Sequence, residues 1–317
     1  MSKNYLGIDI GGTAVKIGLV SEDGLVISST TASVSFDHYK TPIIHTVLKE
    51  CDHYLQAMDV SPKDLLGIGV SATGQIDIHK GIVAGSAGHI DNWLGTPIVT
   101  TLSQHFHLPV QVANDANCAI MGEQWTGAAK ACKDVLMITI GTGVGGGIIM
   151  NNELLSGSRG IAGELGHFTI HKNGAPCPCG NIGCYEQYAS TTALVRKART
   201  SLSLGNYEIK EDYVNGVWIF EQVTKGDCLM TTLMEEWMDD IAIGLIGLVH
   251  IFNPSLILIG GGVSKQEELF IQPLARKVFQ GVMPEFCSNL KIQAAILGND
   301  AGLLGAVYNF RKITQNS

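Results

Sequence analysis

The stretch IDIGGTAVKIGLV, residues 8–20, decides the predicted fold because it places a tight glycine turn between two apolar strand patterns. Apolar residues alternate or run together on both sides of the turn, which is typical of buried β-strands. Glycine lacks a Cβ atom, so its backbone can turn sharply and bring N–H groups close to an anion. The stretch therefore predicts a β-hairpin whose turn, DIGGT at residues 9–13, can contact a phosphate group.

The same arrangement recurs later in the chain. ITIGTGVGGGIIM, residues 138–150, repeats the order of strand, glycine turn with a threonine, and strand, and LIGGGVS, residues 258–264, adds a third glycine turn. The hydroxyl groups of Thr13 and Thr142 can donate to phosphate oxygens. This weak internal repeat predicts two lobes built on one plan, and the three turns together predict phosphate binding. The chain contains neither a P-loop motif nor a Rossmann fingerprint in its required setting.

Strand and helix patterns alternate along the rest of the chain. GLVISSTTASV extends the first hairpin into an antiparallel meander of three strands, and LLGIGVSAT and VQVAN are predicted to be further buried strands. Helical patterns cover residues 41–58, 115–131, 191–204, 216–226, 229–252 and 302–312. This order predicts an α/β fold with mixed sheets flanked by helices.

The bulk composition favours a folded protein that binds neither nucleic acid nor membrane. The chain has 317 residues, of which 45% are hydrophobic and 16% are charged, and this is ample for a buried core. A net charge of −8 without any basic run is unsuited to neutralising nucleic-acid phosphates. The start of the chain lacks a signal-peptide pattern, and apolar runs such as IAIGLIGLVHIF are shorter than the roughly 20 residues that span a bilayer. We therefore expect a cytoplasmic protein.

A cluster of cysteines lies in GELGHFTIHKNGAPCPCGNIGCYEQ, residues 163–187. Cys177, Cys179 and Cys184 follow the spacing C-x-C-x4-C, and with one histidine they make the Cys3His set of a closed zinc site. An iron–sulfur cluster would favour four thiolates, and disulfides are uncommon in the cytoplasm. Since four protein ligands leave no position for water, the zinc is expected to be structural.

The spacing leaves the fourth zinc ligand open. His171 is closer in sequence to the cysteines than His167, and either residue can complete the set. The cysteines outside the cluster are expected to be buried, inert thiols. They are Cys51, Cys118, Cys132, Cys228 and Cys287.

Several of these motifs resemble those of the ROK family (repressors, open reading frames, kinases), and the resemblance covers the whole chain. DIGGT and GTG look like the two phosphate loops of the sugar-kinase, heat-shock-cognate and actin superfamily. Residues 143–167 fit the ROK pattern at each glycine and end in its ExGH element, and CPCGNIGCYE, residues 177–186, matches its CxCGxxGCxE motif. ANDAN, residues 113–117, resembles the catalytic loop of the family.

The resemblance implies a two-lobed, actin-like ATPase fold (ribonuclease H-like) with a zinc-bound loop. The N-terminal lobe is expected at residues 1–115 and the C-terminal lobe, which carries the zinc loop, at residues 116–300. The C-terminal helix, residues 301–317, is expected to pack back on the N-terminal lobe.

Asp115 is the candidate catalytic residue. Phosphorylating a hydroxyl group requires a carboxylate that takes the proton, magnesium, and donors that hold the phosphoryl group in line. Asp115 stands between the strand VQVAN and a helix, where aspartate is also a favoured N-cap, and the residues alone do not separate these two roles. The resemblance implies that Asp115 is the general base and that Asn114 beside it binds the sugar.

The resemblance also implies the remaining parts of a sugar site. Thr73 and Gly74 in VSATGQID resemble the sugar-facing loop, and Asn92 is expected near it, although Trp93 beside Asn92 also suits core packing. Glu164 and Glu186 flank the cysteine cluster and are either solvated acids or, as the resemblance implies, acceptors for paired sugar hydroxyls. The full set of implied sugar ligands is Gly74, Asn92, Asn114, Asp115, Glu164, His167 and Glu186.

Further implied residues bind the metal and the nucleotide. The resemblance assigns the fourth zinc position to His167, beside Cys177, Cys179 and Cys184. Asp9 is implied near the phosphates and Mg²⁺, and its alternative role is that of a turn-forming residue at the end of a strand. Lys16 on the following strand is interpreted as a solvated lysine outside the site, the alternative being a lysine that neutralises phosphate. The implied nucleotide-binding residues are Asp9, Gly11, Gly12, Thr13, Gly141, Thr142, Gly143, Gly261 and Gly262.

Together these features predict an ATP- and Mg²⁺-dependent kinase that phosphorylates a hexose at its 6-hydroxyl, as glucokinases do. A β-glucoside, N-acetylmannosamine or fructose is the alternative substrate. A sugar-responsive transcriptional regulator or a non-catalytic sugar sensor is the second class of function, but only eight residues precede Asp9, where regulators of the family carry a helix-turn-helix domain. The resemblance also implies an oligomer, since members of the family are commonly homodimers or tetramers, and a homodimer is expected.

Overall fold

The structure is a computed structural model that describes residues 3–85, 90–205 and 213–315. Residues 316 and 317 of the predicted C-terminal helix, and Gly88 and His89 before Asn92, lie outside these ranges. Within the described ranges, no helix combines the length and the apolar character needed to cross a membrane.

The first sheet has five strands in the order β3-β2-β1-β4-β7. β1 (Asn4–Ile10), β2 (Ala14–Ser21) and β3 (Val26–Ser33) form the predicted antiparallel meander. β4 (Leu65–Ala72) pairs with β1 and β7 (Val110–Asn114) pairs with β4, both in parallel. The apolar run of β4 is buried because parallel central strands are covered on both faces.

The second sheet has the order β10-β9-β8-β11-β12. β8 (Val135–Ile140) and β9 (Val144–Met150) form an antiparallel hairpin, which β10 (Glu153–Leu154) extends. β11 (Leu256–Gly260) and β12 (Lys291–Ala294) are added in parallel. Both sheets are thus mixed, which confirms the predicted α/β class.

A separate short hairpin is formed by β5 (Gln75–Asp77) and β6 (Ile82–Gly85). The hairpins β1–β2 and β8–β9 are the two copies of the predicted repeat. In each copy, the strand before the glycine turn is also paired in parallel with a strand from later in the chain. Because parallel strands end at the same edge of a sheet, the residues that follow β1, β4 and β7 lie side by side.

The described α-helices cover both sheets. They are α1 (Ile43–Ala57), α2 (Ile98–Phe106), α3 (Asp115–Trp125), α4 (Glu186–Ala189), α5 (Thr191–Leu204), α6 (Gly216–Thr224), α7 (Cys228–Phe252), α8 (Gln272–Gly281), α9 (Pro284–Cys287) and α10 (Ala301–Gln315). Predicted helices match α1, α5, α6, α7 and α10 to within three residues at either end. α2, α8 and β12 had no predicted counterpart, and Pro273 in the first turn of α8 obscures its helical pattern.

The helix predicted over residues 115–131 is too long, since α3 ends at Trp125. The N–H groups of Gly127 and Ala129 both donate to the Glu123 carbonyl oxygen at 3.0 Å, and the Glu123 side chain accepts the Ala128 N–H at 2.7 Å. The Gly127 bond still has the helical spacing of four residues, whereas the N–H groups of Ala128 and Ala129 return to Glu123 instead of to the residues four positions before them, and the helix ends.

α10 packs closely against α3, with backbone against backbone at two glycines. A Cβ atom at Gly305 would lie 1.6 Å from the Cys118 carbonyl oxygen, and one at Gly122 would lie 2.4 Å from the Ala301 carbonyl oxygen. α10 also contacts β1 and β4 of the first sheet. The division of the chain into the two lobes stays a prediction.

Candidate active site

Polar side chains lie at or near the carboxyl ends of the neighbouring strands β1, β4 and β7. Asp9 on β1 is in register with Ser71 on β4, and Ala72 is in register with Asn114 at the end of β7. The Ser71 hydroxyl, which is buried, donates to Asp9 Oδ1 at 2.5 Å. This edge of the sheet therefore presents an oriented carboxylate next to the start of α3.

Asn114 caps α3 and orients Asp115. Asn114 Oδ1 accepts the N–H groups of Ala116 at 3.0 Å and Asn117 at 3.2 Å. Its Nδ2 donates to Asp115 Oδ1 and to the Gly74 carbonyl oxygen, both at 2.9 Å. The N-cap is thus Asn114, and the alternative interpretation of Asp115 as the N-cap is wrong.

The carboxylates at this edge titrate abnormally. Burial is the main reason that the pKa of Asp115 is raised to about 6; the Ala116 N–H opposes the shift, and the negative charges of Asp9 and Glu164 add to it. Burial also raises the pKa of Asp9, against the hydrogen bond from Ser71. A carboxyl group that titrates near neutral pH is suited to accept a proton from a hydroxyl group.

The loop after β4 lies over the start of α3. Gly74 accepts the hydrogen bond from Asn114, and Trp93 Nε1 donates to the Thr73 carbonyl oxygen at 2.9 Å. Trp93 is buried, so it belongs to the core as well as holding this loop. Asn92 beside it is exposed, with a φ of 59°.

Glu186 lies near enough to Glu164 for its charge to affect the pKa of Glu164. Loss of water contact raises the pKa of Glu164 although its side chain is open to solvent on one side; His167 lowers this pKa and Glu186 raises it further. Glu186 begins α4, and its Oε2 accepts the Val144 N–H at 2.9 Å. The interpretation of Glu186 as a solvated loop acid is therefore wrong.

A cavity of about 1030 Å³ opens beside the glycine turns of the second sheet. Gly141 and Thr142 line it from the turn after β8, and Gly262 lines it from the turn after β11. Its wall includes apolar side chains from α5 and α6, such as Val195 and Trp218. Two predicted turns thus meet at one cavity of a size that suits a nucleotide.

Two other predicted glycines shape the turns without lining this cavity. Gly261 has a φ of 88°, and a Cβ atom there would lie 2.1 Å from the Ile140 carbonyl oxygen, so only glycine fits the junction of β8 and β11. A Cβ atom at Gly143 would lie 2.4 Å from Glu186 Oε2.

The first glycine turn is braced by the segment after β3. Tyr39 donates from its hydroxyl to the Gly12 carbonyl oxygen at 2.8 Å, and the Val34 N–H donates to the Thr13 carbonyl oxygen at 2.9 Å. Gly11, Gly12 and Thr13 do not line the cavity. The predicted nucleotide residues therefore form two groups, one on each sheet.

Lys16 is not a solvated strand lysine, and that interpretation is wrong. Its ammonium group donates to Asp300 Oδ1 at 2.5 Å and to the Asn299 carbonyl oxygen at 3.2 Å, and its side chain is 19% exposed. Lys16 is in register with Asp9, and its positive charge lowers the pKa of Asp9. The ion pair ties the first hairpin to the segment that leads into α10.

The four predicted zinc ligands lie together. The ligand atoms of His167, Cys177, Cys179 and Cys184 are all within 4.8 Å of one another, and His167 Nδ1 faces Cys177 Sγ at 3.6 Å. The sulfurs of Cys179 and Cys184 are 3.6 Å apart, whereas a disulfide bond measures about 2 Å. All eight cysteines of the chain are free thiols.

His171 is engaged elsewhere. Its Nε2 lies 3.5 Å from Asp240 Oδ1, and its ring centroid is 4.2 Å from that of Tyr188. Asp240 also accepts from Lys197 at 2.8 Å. The cluster thus contains His167 and not His171, a choice that the spacing left open.

Sequence reasoning missed Ser71 and Glu123. Ser71 is a polar residue within the apolar run of β4, which is a usable signal. Glu123 has a buried carboxylate whose partners lie up to 174 residues away, so no local pattern marks it. Among the cysteines outside the cluster, Cys51 and Cys118 are buried as expected, whereas Cys228 is exposed.

Comparison with known proteins matches the chain to one family. The model of the ROK family matches residues 5–313. The chain is 34% identical over 307 residues to a glucokinase of Thermotoga maritima, with 95% of each chain covered. It is 33% identical over 310 residues to a β-glucoside kinase of Klebsiella pneumoniae, covering 96% of this chain and 95% of the relative.

A solved structure agrees with this match. The structure of a ROK family glucokinase from Streptomyces griseus in complex with glucose and AMPPNP superposes with a TM-score of 0.82. The two chains are 34% identical, with 98% of this chain and 99% of the other covered.

Proposed function

Because this chain belongs to the ROK family, we propose that it transfers the γ-phosphoryl group of ATP to the 6-hydroxyl group of a hexose. The observation that carries the proposal is Asp115, whose carboxylate stands at the start of α3 with a pKa raised to about 6. Asp115 acts as the general base: it takes the proton of the 6-hydroxyl group as the oxygen attacks phosphorus. Asn114 holds the carboxylate in place through its 2.9 Å hydrogen bond.

The donor is proposed to be ATP, with its nucleoside part in the 1030 Å³ cavity and its phosphates at the glycine turns. Gly141, Thr142 and Gly262 on the cavity wall support this assignment. Asp9 would hold Mg²⁺, which would neutralise charge on the phosphates. The buried, hydrogen-bonded Asp9 carboxylate fits a hard cation that prefers oxygen ligands.

The sugar is proposed to lie between the start of α3 and the cysteine loop. Glu164 and Glu186 would accept hydrogen bonds from hydroxyl groups at the end of the sugar opposite Asp115. His167 supports this placement because its Nδ1 faces the sulfurs, so its Nε2 is left for a sugar hydroxyl. Gly74, Asn92 and Asn114 would complete the pocket.

Zinc is proposed for the Cys3His cluster. The donor set and the 4.8 Å grouping of the ligand atoms suit a tetrahedral Zn²⁺ ion. Its proposed role is structural, since it would fix the loop that ends at Glu186 and the imidazole of His167.

Glucose is the proposed substrate, and a β-glucoside is the strongest alternative because a β-glucoside kinase is among the relatives. N-acetylmannosamine and fructose also remain candidates. We propose that the protein acts in the cytoplasm as a homodimer, and that lobes at residues 1–115 and 116–300 close over the substrates and exclude water.

The test is a coupled assay of ADP release over a panel of glucose, fructose, N-acetylmannosamine and cellobiose. We expect ADP release with one of these sugars and little release without sugar.

Asp115→Ala should lower kcat by about 10² to 10⁴-fold while the fold and zinc content are kept. Asp52→Asn is the control, since Asp52 is exposed and pairs only with surface residue His105 among the contacts described. Near wild-type turnover by folded Asp115→Ala removes Asp115 from the role of base, and no sugar-dependent ADP release supports the sensor or regulator class.

A further inference from the structure

A third buried carboxylate, remote from the proposed chemistry, joins two distant segments of the chain. Glu123 lies on α3 and is 0% exposed. Its Oε1 accepts the N–H groups of Ile296 and Leu297, both at 2.8 Å, and its Oε2 accepts the Ala128 N–H at 2.7 Å. Among the described residues, every hydrogen bond of this side chain comes from an N–H donor, three in all. A carboxylate, which only accepts hydrogen bonds, suits these donors, whereas the NH₂ group of an amide side chain would face one of them.

The segment that Glu123 binds is followed by residues that pack against Asp9. Ile296 and Leu297 precede the 3₁₀ turn Gly298–Asp300 and the start of α10. Asp300 pairs with Lys16, and a Cβ atom at Gly302 would lie 2.6 Å from Asp9 Oδ2. The first turn of α10 therefore packs on the Asp9 carboxylate.

The same helix carries Asp115. Asp115 is the first residue of α3, and Glu123 is two turns further along the same helix. At Gly122 and Gly305 the backbones of α3 and α10 are so close that a Cβ atom at either glycine would clash with the other helix. Glu123 thus links α3, which carries Asp115, to the segment before α10, whose first turn packs on Asp9.

We propose that Glu123 is a positioning residue for phosphoryl transfer. By binding the N–H groups of residues 296 and 297, Glu123 positions the start of α10 and the Lys16–Asp300 pair against Asp9. It thereby keeps the Asp9 carboxylate at a fixed position relative to Asp115. This inference rests on the kinase function proposed above. It assigns Glu123 no contact with substrate.

The test compares Glu123→Met, which removes every acceptor at similar length, with Glu123→Gln, which keeps one acceptor oxygen. Gln124→Ala is the matched control, because Gln124 is the next residue of α3 and bonds to Cys132 instead. The measurements are MgATP affinity by calorimetry without sugar, kcat, KM for sugar, and hydrogen exchange of the amides of residues 296 and 297.

We expect Glu123→Met to weaken MgATP binding about 10-fold and to lower kcat about 100-fold, with KM for sugar changed less than about 2-fold. Glu123→Gln should show the same pattern to a smaller degree, and both should speed exchange at residues 296 and 297. Gln124→Ala should leave all four measurements near wild type. Because Glu123→Gln keeps the shape of the side chain, it provides the test if Glu123→Met fails to fold.

Wild-type MgATP affinity and kcat in folded Glu123→Gln and Glu123→Met would overturn the proposal. An equal weakening of MgATP affinity and rise in KM for sugar, in step with the loss of folded protein, would also overturn it, since that is the pattern of general destabilisation. A wild-type protein without kinase activity overturns the proposed function instead, and it leaves the effect of Glu123 on MgATP binding measurable.

Discussion

The Glu186 carboxylate accepts the backbone N–H of Val144 at 2.9 Å, and this hydrogen bond joins the end of the cysteine loop to the glycine turn before β9. A Cβ atom at Gly143 would lie 2.4 Å from the same oxygen, so turn and carboxylate are in direct contact. The Glu186 carboxylate, a proposed sugar ligand, therefore also binds the turn proposed to contact the phosphates. Sugar and nucleotide sites built this way are expected to influence each other.

Glu186→Gln is expected to raise KM for both sugar and ATP. The substitution keeps the shape of the side chain but removes the charge, and hydrogen bonds to a charged group contribute about 1.5–3 kcal/mol, or roughly 10- to 100-fold in binding. Steady-state kinetics with each substrate varied in turn measures the effect. Glu153→Gln is the control, since Glu153 is exposed and pairs with Lys312. A rise in KM for sugar alone would show that the bond to Val144 does not couple the sites.

The pH profile of kcat/KM is expected to report Asp115. The pKa of Asp115 is raised to about 6, and the base acts only as the carboxylate. Activity should therefore be full above pH 7 and fall about tenfold per unit as pH drops below about 6. Rates measured between pH 5 and 8 with a second buffer as control provide the test. A profile flat down to pH 5 would be evidence against Asp115 as the titrating base.

Asp115→Asn is expected to stabilise the fold while it removes activity. Because the folded-state pKa is raised, protonation of Asp115 stabilises the fold below about pH 4, and this contribution is lost as pH rises through about 6. Asparagine never ionises, so the variant should gain at most about 3 kcal/mol at pH 8 and only about 0.5 kcal/mol at pH 4. Urea unfolding at both pH values measures the difference. Equal stability of the two proteins at pH 8 contradicts the expected burial cost.

Zinc content is expected to separate His167 from His171. His167→Ala and Cys179→Ala should lose the ion, because each removes a ligand of the Cys3His set. His171→Ala should retain it, since His171 pairs with Asp240. Metal analysis after dialysis, expressed per chain, distinguishes the variants. Zinc lost from His171→Ala and kept by His167→Ala would reverse the assignment.

The adjacent glycines of the third turn are expected to behave differently. Gly261→Ala places a Cβ atom 2.1 Å from the Ile140 carbonyl oxygen at a φ of 88°, so the variant should lose at least about 2 kcal/mol of unfolding free energy. The new methyl group of Gly262→Ala meets no atom of the described residues within 4 Å, and the variant should change stability by less than about 0.5 kcal/mol. Thermal unfolding of the pair gives the comparison. Equal losses would mean that the turn relaxes around the new methyl group.

The features that could be predicted from the sequence are those that local patterns and motifs specify. The glycine turns, both hairpins and the Cys3His set follow from residues close together in the chain, and the structure places them as predicted. Lys16 was misread because its partner Asp300 is 284 residues away. The choice between His167 and His171 depends on Asp240, which spacing within the loop does not include.

Some elements were missed for a related reason. α3 ends at Trp125 because the Glu123 side chain and carbonyl group bind the residues that follow, an arrangement that helical periodicity does not record. Ser71 gains its role only when β4 lies beside β1 and the two strands come into register. Contacts of this kind are made by tertiary packing, and propensity alone does not specify them.

The backbone contact of α3 with α10 at Gly122 and Gly305 limits how related sequences can diverge. Any side chain at Gly305 would push the helices apart, and the carboxylates of Asp9 and Asp115 lie at their ends. A substitution there would damage the active site without touching it. Exposed positions on the cavity wall, such as Val217, carry no such constraint. New substrate preferences should therefore evolve in the walls of the site, while this helix pair stays unchanged.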